Sequence, residues 1–191
     1  MNTLNIDKEK AINAYKQGSE EQKKVLEQMF GVEVFRPKTV IERVKTFEDA
    51  CRELGKDHPL VLAYQNTNLR DPEVADDNKD VIAYLKLRVI IAALNEGWKP
   101  KPMGEERQYF PYFRLYSCED ISQMSKEEEN SVVNLPSCGV SYSHAYYCFS
   151  SVNGPFGARL VFKTKELAEY AGKQFTKLYV DYLLNLLAEL I

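Results

Sequence analysis

Apolar positions recur with helical period at both ends of the chain and alternate as strands do between them. Ala11, Ile12 and Tyr15 share one face of a first short helix that Gly18 stops. Ser19-Glu20-Glu21-Gln22 reads as a capping box opening a second: the Ser19 hydroxyl accepts from the Gln22 N–H while the Gln22 side chain reaches back. That helix carries Val25, Leu26 and Met29 on a stripe and ends at Gly31. Gly31 to Arg36 alternates like a short strand, stopped by Pro37. Residues 1–36 are therefore expected to form an N-terminal helical arm, and 37–191 a single domain.

Thr46 caps a compact helix in which Phe47, Ala50, Cys51 and Leu54 fall at i, i+3, i+4 and i+7, with Gly55 as its stop. On that stripe Cys51 reads as a buried small hydrophobe. Residues 56–77 are the most polar connection and read as a loop. A long helix follows over about 78–96. Val81, Ile82, Leu85, Val89 and Ala92 mark one face, and Tyr84, Leu87, Ile90 and Ile91 widen it enough to make the helix central. Tyr109 to Tyr116 reads as a strand with Pro111 at its start or on an edge. A helical turn over 117–124 and an exposed acidic loop over 125–134 come next. A second strand runs from Gly139 to Phe149 or Ser150, and Asn153-Gly154-Pro155 turns it into a third over 158–163, as an antiparallel hairpin. Thr164 caps a final helix, about 165–189, along which Leu167, Ala171, Phe175, Leu178, Tyr182 and Leu186 recur. The expected fold is α+β: a small three-stranded, mainly antiparallel sheet (109–116, 139–150, 158–163) covered on one face by the central and C-terminal helices.

Composition narrows the class. With 45% hydrophobic and 28% charged residues, the chain can bury enough apolar surface to fold, which argues against a disordered protein. A net charge of −3 gives no bulk field toward nucleic acid or anionic membrane. The start, Met1 to Asp7, lacks a basic segment followed by an apolar run, and no apolar stretch approaches the roughly 20 residues of a membrane helix. The four cysteines, Cys51, Cys118, Cys138 and Cys148, are not in a secreted-domain pattern. They are expected to be reduced thiols in a cytoplasmic protein.

Candidate chemistry is sparse. Cys138, His144 and Cys148 share a strand parity, with Cys118 as a possible fourth zinc ligand. An extended strand rises about 3.3 Å per residue, so Cys138 and Cys148 stand roughly 33 Å apart and cannot meet one ion unless the chain doubles back. His144 and Cys148 are roughly 13 Å apart by the same rise, too far for a thiolate and its base. His58, beside Pro59 in a polar stretch, reads as solvent-facing. There is no Gly-x-x-x-x-Gly-Lys-Ser/Thr and no Gly-x-Gly-x-x-Gly. The acidic pairs and runs (Asp76-Asp77, Glu119-Asp120, Glu127-Glu128-Glu129) read as solvated loop charge. No metal, cofactor or catalytic residue is expected.

The aromatic strands are the lead that remains. Alternation separates Tyr142, His144, Tyr146 and Cys148 from Ser141, Ser143, Ala145, Tyr147 and Phe149. The second, smaller set is expected to face the helices. The binding candidates are then Tyr112, Arg114, Tyr142, His144, Tyr146 and Arg159. Tyr and Arg anchor protein interfaces. Aromatic rings with cationic neighbours also stack single-stranded bases.

Four segments carry a family resemblance: Thr46-Phe47-Glu48-Asp49-Ala50-Cys51-Arg52-Glu53-Leu54-Gly55; Ala93-Leu94-Asn95-Glu96-Gly97-Trp98; Tyr109-Phe110-Pro111-Tyr112-Phe113; and the stretch from Arg159 to Phe175. In this order they resemble a family of phage and prophage-like proteins of gut bacteria with no assigned activity. The resemblance runs from about Thr46 onward and is most specific at its close. It implies a phage accessory or virion-associated role in the bacterial cell and supplies no catalytic residues. Where the family carries an Asp-Trp pair after the Trp98 position, this chain has Lys99-Pro100-Lys101-Pro102-Met103, so no role of that pair carries over. The expected function is a non-enzymatic interaction protein that binds a protein partner or itself. The alternative is a single-stranded nucleic-acid module using the aromatic and basic sheet face.

Overall fold

The computed structural model describes residues 7–35, 38–71, 73–101, 106–135, 138–148 and 157–184, and the chain divides into two compact units, Met1–Glu42 and Arg43–Ile191. The first contains α1 (Lys8–Gln17), α2 (Glu20–Phe30) and α3 (Val32–Phe35). The Ser19–Gln22 capping box is present, and Gly31 ends α2 at φ +86°. The expected strand over 31–36 is a single helical turn instead, with Arg36 outside the described residues. Packing decides this: the turn brings Phe35 back to stack on Tyr15, 4.6 Å between centroids, and to meet Phe30 at 6.2 Å. A four-residue alternation has no sheet partner to outweigh such contacts.

Next come α4 (Val40–Arg43), which spans the division, and the elements of the second unit: α5 (Phe47–Leu54), α6 (Pro59–Gln65), α7 (Lys79–Leu94), β1 (Gln108–Ser117), α8 (Cys118–Ser122), α9 (Lys126–Glu129), β2 (Val133–Asn134), β3 (Cys138–Cys148), α10 (Lys165–Gln174) and α11 (Thr176–Leu184). The connection over 56–77 is not a plain loop. Pro59 sits at the first helical position of α6, where its missing N–H costs nothing, and His58 Nδ1 accepts from the Leu60 N–H at 3.2 Å. Val61 is the residue α6 buries; one apolar anchor in seven residues leaves little periodicity to read.

The sheet is antiparallel in the order β1-β3-β2. Its third strand is Val133–Asn134, paired with Val140 and Gly139, and not 158–163. After a 3-10 turn at Gly157–Arg159, Leu160, Val161 and Phe162 are buried one after another. Consecutive burial is the signature of a core segment, not of a half-exposed hairpin strand. Phe162 reaches the sheet as an isolated bridge to Tyr109, exchanging backbone hydrogen bonds of 3.0 and 2.8 Å, so the segment pairs with β1 where a hairpin with β3 was expected. Phe149, Ser150 and the expected turn at 151–156 lie outside the described residues.

The expected C-terminal helix is two helices. Phe175 leaves the helical conformation (φ −117°, ψ 27°), and the Thr176 hydroxyl donates to the Gly172 carbonyl at 2.6 Å, displacing a backbone donor. Its expected tail, 185–189, lies outside the described residues. α10 covers β1 and β3, and α11 packs on α7 while reaching β2 and β3. The central helix α7 makes its main contacts with α11, α5 and α6, a layer behind the sheet. Leu87, Ile90 and Leu94 of α7 are fully buried.

At the end of α7, Asn95 is 3% exposed and ties two segments together. Its Nδ2 donates to the Val161 carbonyl at 2.8 Å, and its Oδ1 accepts from the Lys163 N–H at 3.0 Å. Outside this clamp, Glu96 bridges Lys163 (2.9 Å) and Arg43 (3.1 Å), and Arg43 also grips Glu53. The Lys163 and Arg43 hydrogen bonds hold the Glu96 carboxyl below its ordinary value of 4.5. Because the folded-state value lies below the unfolded one, the resulting stability is present above pH 4.5 and fades as pH falls through the folded value. Urea midpoints of the wild type and Glu96→Gln should therefore differ at neutral pH and converge in acid. A gap that is constant with pH would contradict the ion-pair assignment.

Candidate functional site

β1 and β3 form a two-stranded ladder from Gln108↔Cys148 to Ser117↔Cys138, and its register slips once. Tyr112 pairs with His144, but Phe113 pairs with Tyr142, so Ser143 is an extra residue on β3. A bulge of one residue exchanges the faces of everything beyond it. Tyr142 therefore points to the helix side together with Pro111 and Phe113. A Cβ built on Gly172 of α10 would stand 2.3 Å from Tyr142 Cδ2 and 2.8 Å from Pro111 Cβ. Phe113 meets Tyr142 edge-on at 6.3 Å and the buried Tyr179 at 5.0 Å. Burial, with a smaller contribution from the Glu169 carboxylate, pushes the Tyr142 phenol up to about 12. The two alternation sets read from the sequence are thus each split at Ser143.

Tyr112, His144 and Tyr146 stay on the opposite face. Tyr112 stacks on His144 (5.0 Å, 28° between planes), and His144 meets Tyr146 edge-on at 6.2 Å. Tyr112 is 51% and Tyr146 55% exposed, which is uncommon for rings in mutual contact on a sheet. His144 is exposed, and its Nδ1 lies 3.1 Å from the Ser143 hydroxyl. The row is closed at both ends. Phe110, buried, meets Tyr146 edge-on at 5.9 Å. At the other end, a Cβ on Gly139 would strike the Val132 and Ile121 side chains, so α8 and the residue before β2 lie over the sheet there. Tyr147, at the strand end, stacks beside Tyr146 at 5.7 Å with the Arg107 guanidinium 4.7 Å from its own ring centroid. Arg114, at the opposite end, lies 5.2 Å over Tyr116. The exposed surface is therefore a short aromatic row with Arg114 at one end; Tyr147 and Arg107 adjoin its other end from the opposite strand parity.

Of the expected binding residues, the ladder gathers Tyr112, His144 and Tyr146, with Arg114 at the margin. Tyr142 is turned away. Arg159 is exposed on the 3-10 turn, outside the ladder. Cys138 and Cys148 occupy opposite ends of one continuous strand. The Cys148 thiol lies 3.8 Å from the Gln108 carbonyl, and burial raises its pKa, as it does for Cys51. Sequence reasoning passed over Arg107, Lys173 and Lys177.

No family model, curated protein or solved structure matches this chain. Among the described residues, no helix is long and apolar enough to cross a membrane.

Proposed function

We propose that this is a non-enzymatic interaction protein, an accessory factor of phage or prophage origin, which holds a protein partner on the Tyr112–His144–Tyr146 face. The observation that carries the reading is the exposure of three contiguous rings on one face of a sheet whose other face is filled by α10 and α11. Tyrosine offers large, rigid contact area at low entropic cost, and Tyr and Arg dominate interface hot spots. Arg114 at one end suits a partner that sets a carboxylate beside an apolar centre. The test compares the wild type with Tyr112→Ser/Tyr146→Ser, whose sites are more than half exposed. Capture from lysogenic or infected cells, with light scattering on the purified protein, should show a partner or a second copy bound. The double variant should bind it at least ~30-fold more weakly, since hot-spot truncation costs about 2 kcal/mol or more. A strict monomer that captures nothing, or capture indifferent to the double substitution, contradicts the proposal.

A second reading is favoured by the guanidinium groups of Arg107 and Arg114 over Tyr147 and Tyr116. Rings and arginines of this kind bind single-stranded nucleic acid, each stacked base contributing about 1–3 kcal/mol. It requires salt-sensitive binding of a labelled oligonucleotide that Tyr146→Ala weakens. Flat fluorescence polarisation at low salt removes it.

A further inference from the structure

The face of the sheet that carries no exposed row still opens at one corner. Where α10 gives way to α11, a cleft of about 440 Å³ separates the helices from the chain entering β2. Its walls include Asn130, Val132, Tyr142, Lys173, Thr176 and Lys177. The lysines lie four positions apart, one on each side of the α10–α11 break, and are exposed, and neither forms an ion pair among the described residues. Lys173 Nζ stands 5.6 Å over the Tyr142 ring, so one cation is fixed beside the aromatic wall.

We propose that this cleft is a binding site for a small phosphate monoester, its phosphate held by Lys173 and Lys177 and its organic body against Tyr142 and Val132. The charge count selects the head group. Two ammonium groups at one lip match a phosphate monoester, which carries about −1.5 to −2 at neutral pH, better than a carboxylate or sulfate ester with one charge. The volume selects the rest: ligand pockets of roughly 300–1,000 Å³ hold an organic molecule, and a bare phosphate would leave the apolar wall uncovered. The phenol of Tyr142 stays protonated at any ordinary pH and is available as a donor. Two of the acids nearby are engaged elsewhere. Glu169 pairs with Lys165 at 3.4 Å, and Glu128 accepts from the Ser125 hydroxyl and N–H. The cleft lies on the helix side of the sheet, separate from the Tyr112–His144–Tyr146 row, so either site stands without the other.

The experiment is a titration of the isotopically labelled full chain with phenyl phosphate at low ionic strength, followed through backbone amide shifts. Saturable shifts should centre on residues 130–133 and 173–177, with half-saturation near about 1 mM or below, as for two exposed charge-assisted contacts. Inorganic phosphate, which lacks the body, and phenyl sulfate, which lacks the second charge, should each bind several-fold more weakly. Lys173→Met/Lys177→Met, at exposed positions that leave the fold intact, should weaken phenyl phosphate at least about tenfold. Tyr142→Phe should weaken it a few-fold. Absence of saturable shifts at these residues, equal binding of phenyl sulfate, or binding that survives the double lysine substitution overturns the proposal.

Discussion

Asn95→Ala should destabilise the protein by about 2–4 kcal/mol, since a buried donor or acceptor left without a partner costs about 1–3 kcal/mol and this change strands two of them. The Val161 carbonyl loses the amide that caps it at 2.8 Å, and the Lys163 N–H loses its acceptor at 3.0 Å. Both lie against Leu160 and Phe162, which are fully buried, so water does not readily replace the lost partners. Asn95→Asp keeps the acceptor but sets a carboxylate against the Val161 carbonyl, and should be as damaging. Urea denaturation followed by far-UV circular dichroism measures both. A loss below about 1 kcal/mol for the alanine variant would show that the clamp does not hold the 160–163 segment.

Gly172→Ala should also destabilise, by about 1–3 kcal/mol net of the roughly 1 kcal/mol that alanine gains over glycine in a helix. The added methyl would lie 2.3 and 2.7 Å from two carbons of the Tyr142 ring and 2.8 Å from Pro111, so α10 must lift from the sheet or the ring must move. Two outcomes separate these. If the ring is the obstacle, Tyr142→Ala/Gly172→Ala should recover part of the loss, a coupling visible in a double-mutant cycle. If Gly172→Ala is neutral or stabilising, α10 does not approach β3 as closely as described, and Tyr142 is not pinned to the helix side.

The parts of this fold that were legible in the sequence are those whose signal is local. The capping box at Ser19, the helix cap at Thr46, the glycine stops at Gly31 and Gly55, and the two aromatic strands each declare themselves within a few residues. What was hidden depends on partners distant in the chain. Val32–Phe35 alternates like a strand but curls to meet Tyr15. Leu160–Phe162 has strand composition but joins the core, and touches the sheet through Tyr109, about fifty positions earlier, rather than through β3. The break at Phe175 lies inside an unbroken helical period and comes from a threonine hydroxyl competing for a carbonyl.

The candidate site shows the same division. Strand alternation placed His144 and Tyr146 together, and cross-strand pairing added Tyr112. It misplaced Tyr142 because parity holds only while the register does, and nothing in Ser141-Tyr142-Ser143-His144 announces an extra residue at Ser143. The consequence is functional. Had the ladder run true, three rings of β3, Tyr142, His144 and Tyr146, would share one side. With the bulge, one tyrosine is spent anchoring α10, and the three-ring row is left open between buried Phe110 and the cover over Gly139.

Photochemically induced nuclear polarisation, which enhances only those tyrosine, histidine and tryptophan rings that a dissolved dye can touch, reads that arrangement directly. Tyr112, Tyr146 and His144 should be strongly enhanced, while Tyr179 should be silent and Tyr142 weak. Strong enhancement of Tyr142 together with silence at Tyr112 and His144 would mean that the other side of the ribbon faces outward, and the proposed partner surface would be lost with it.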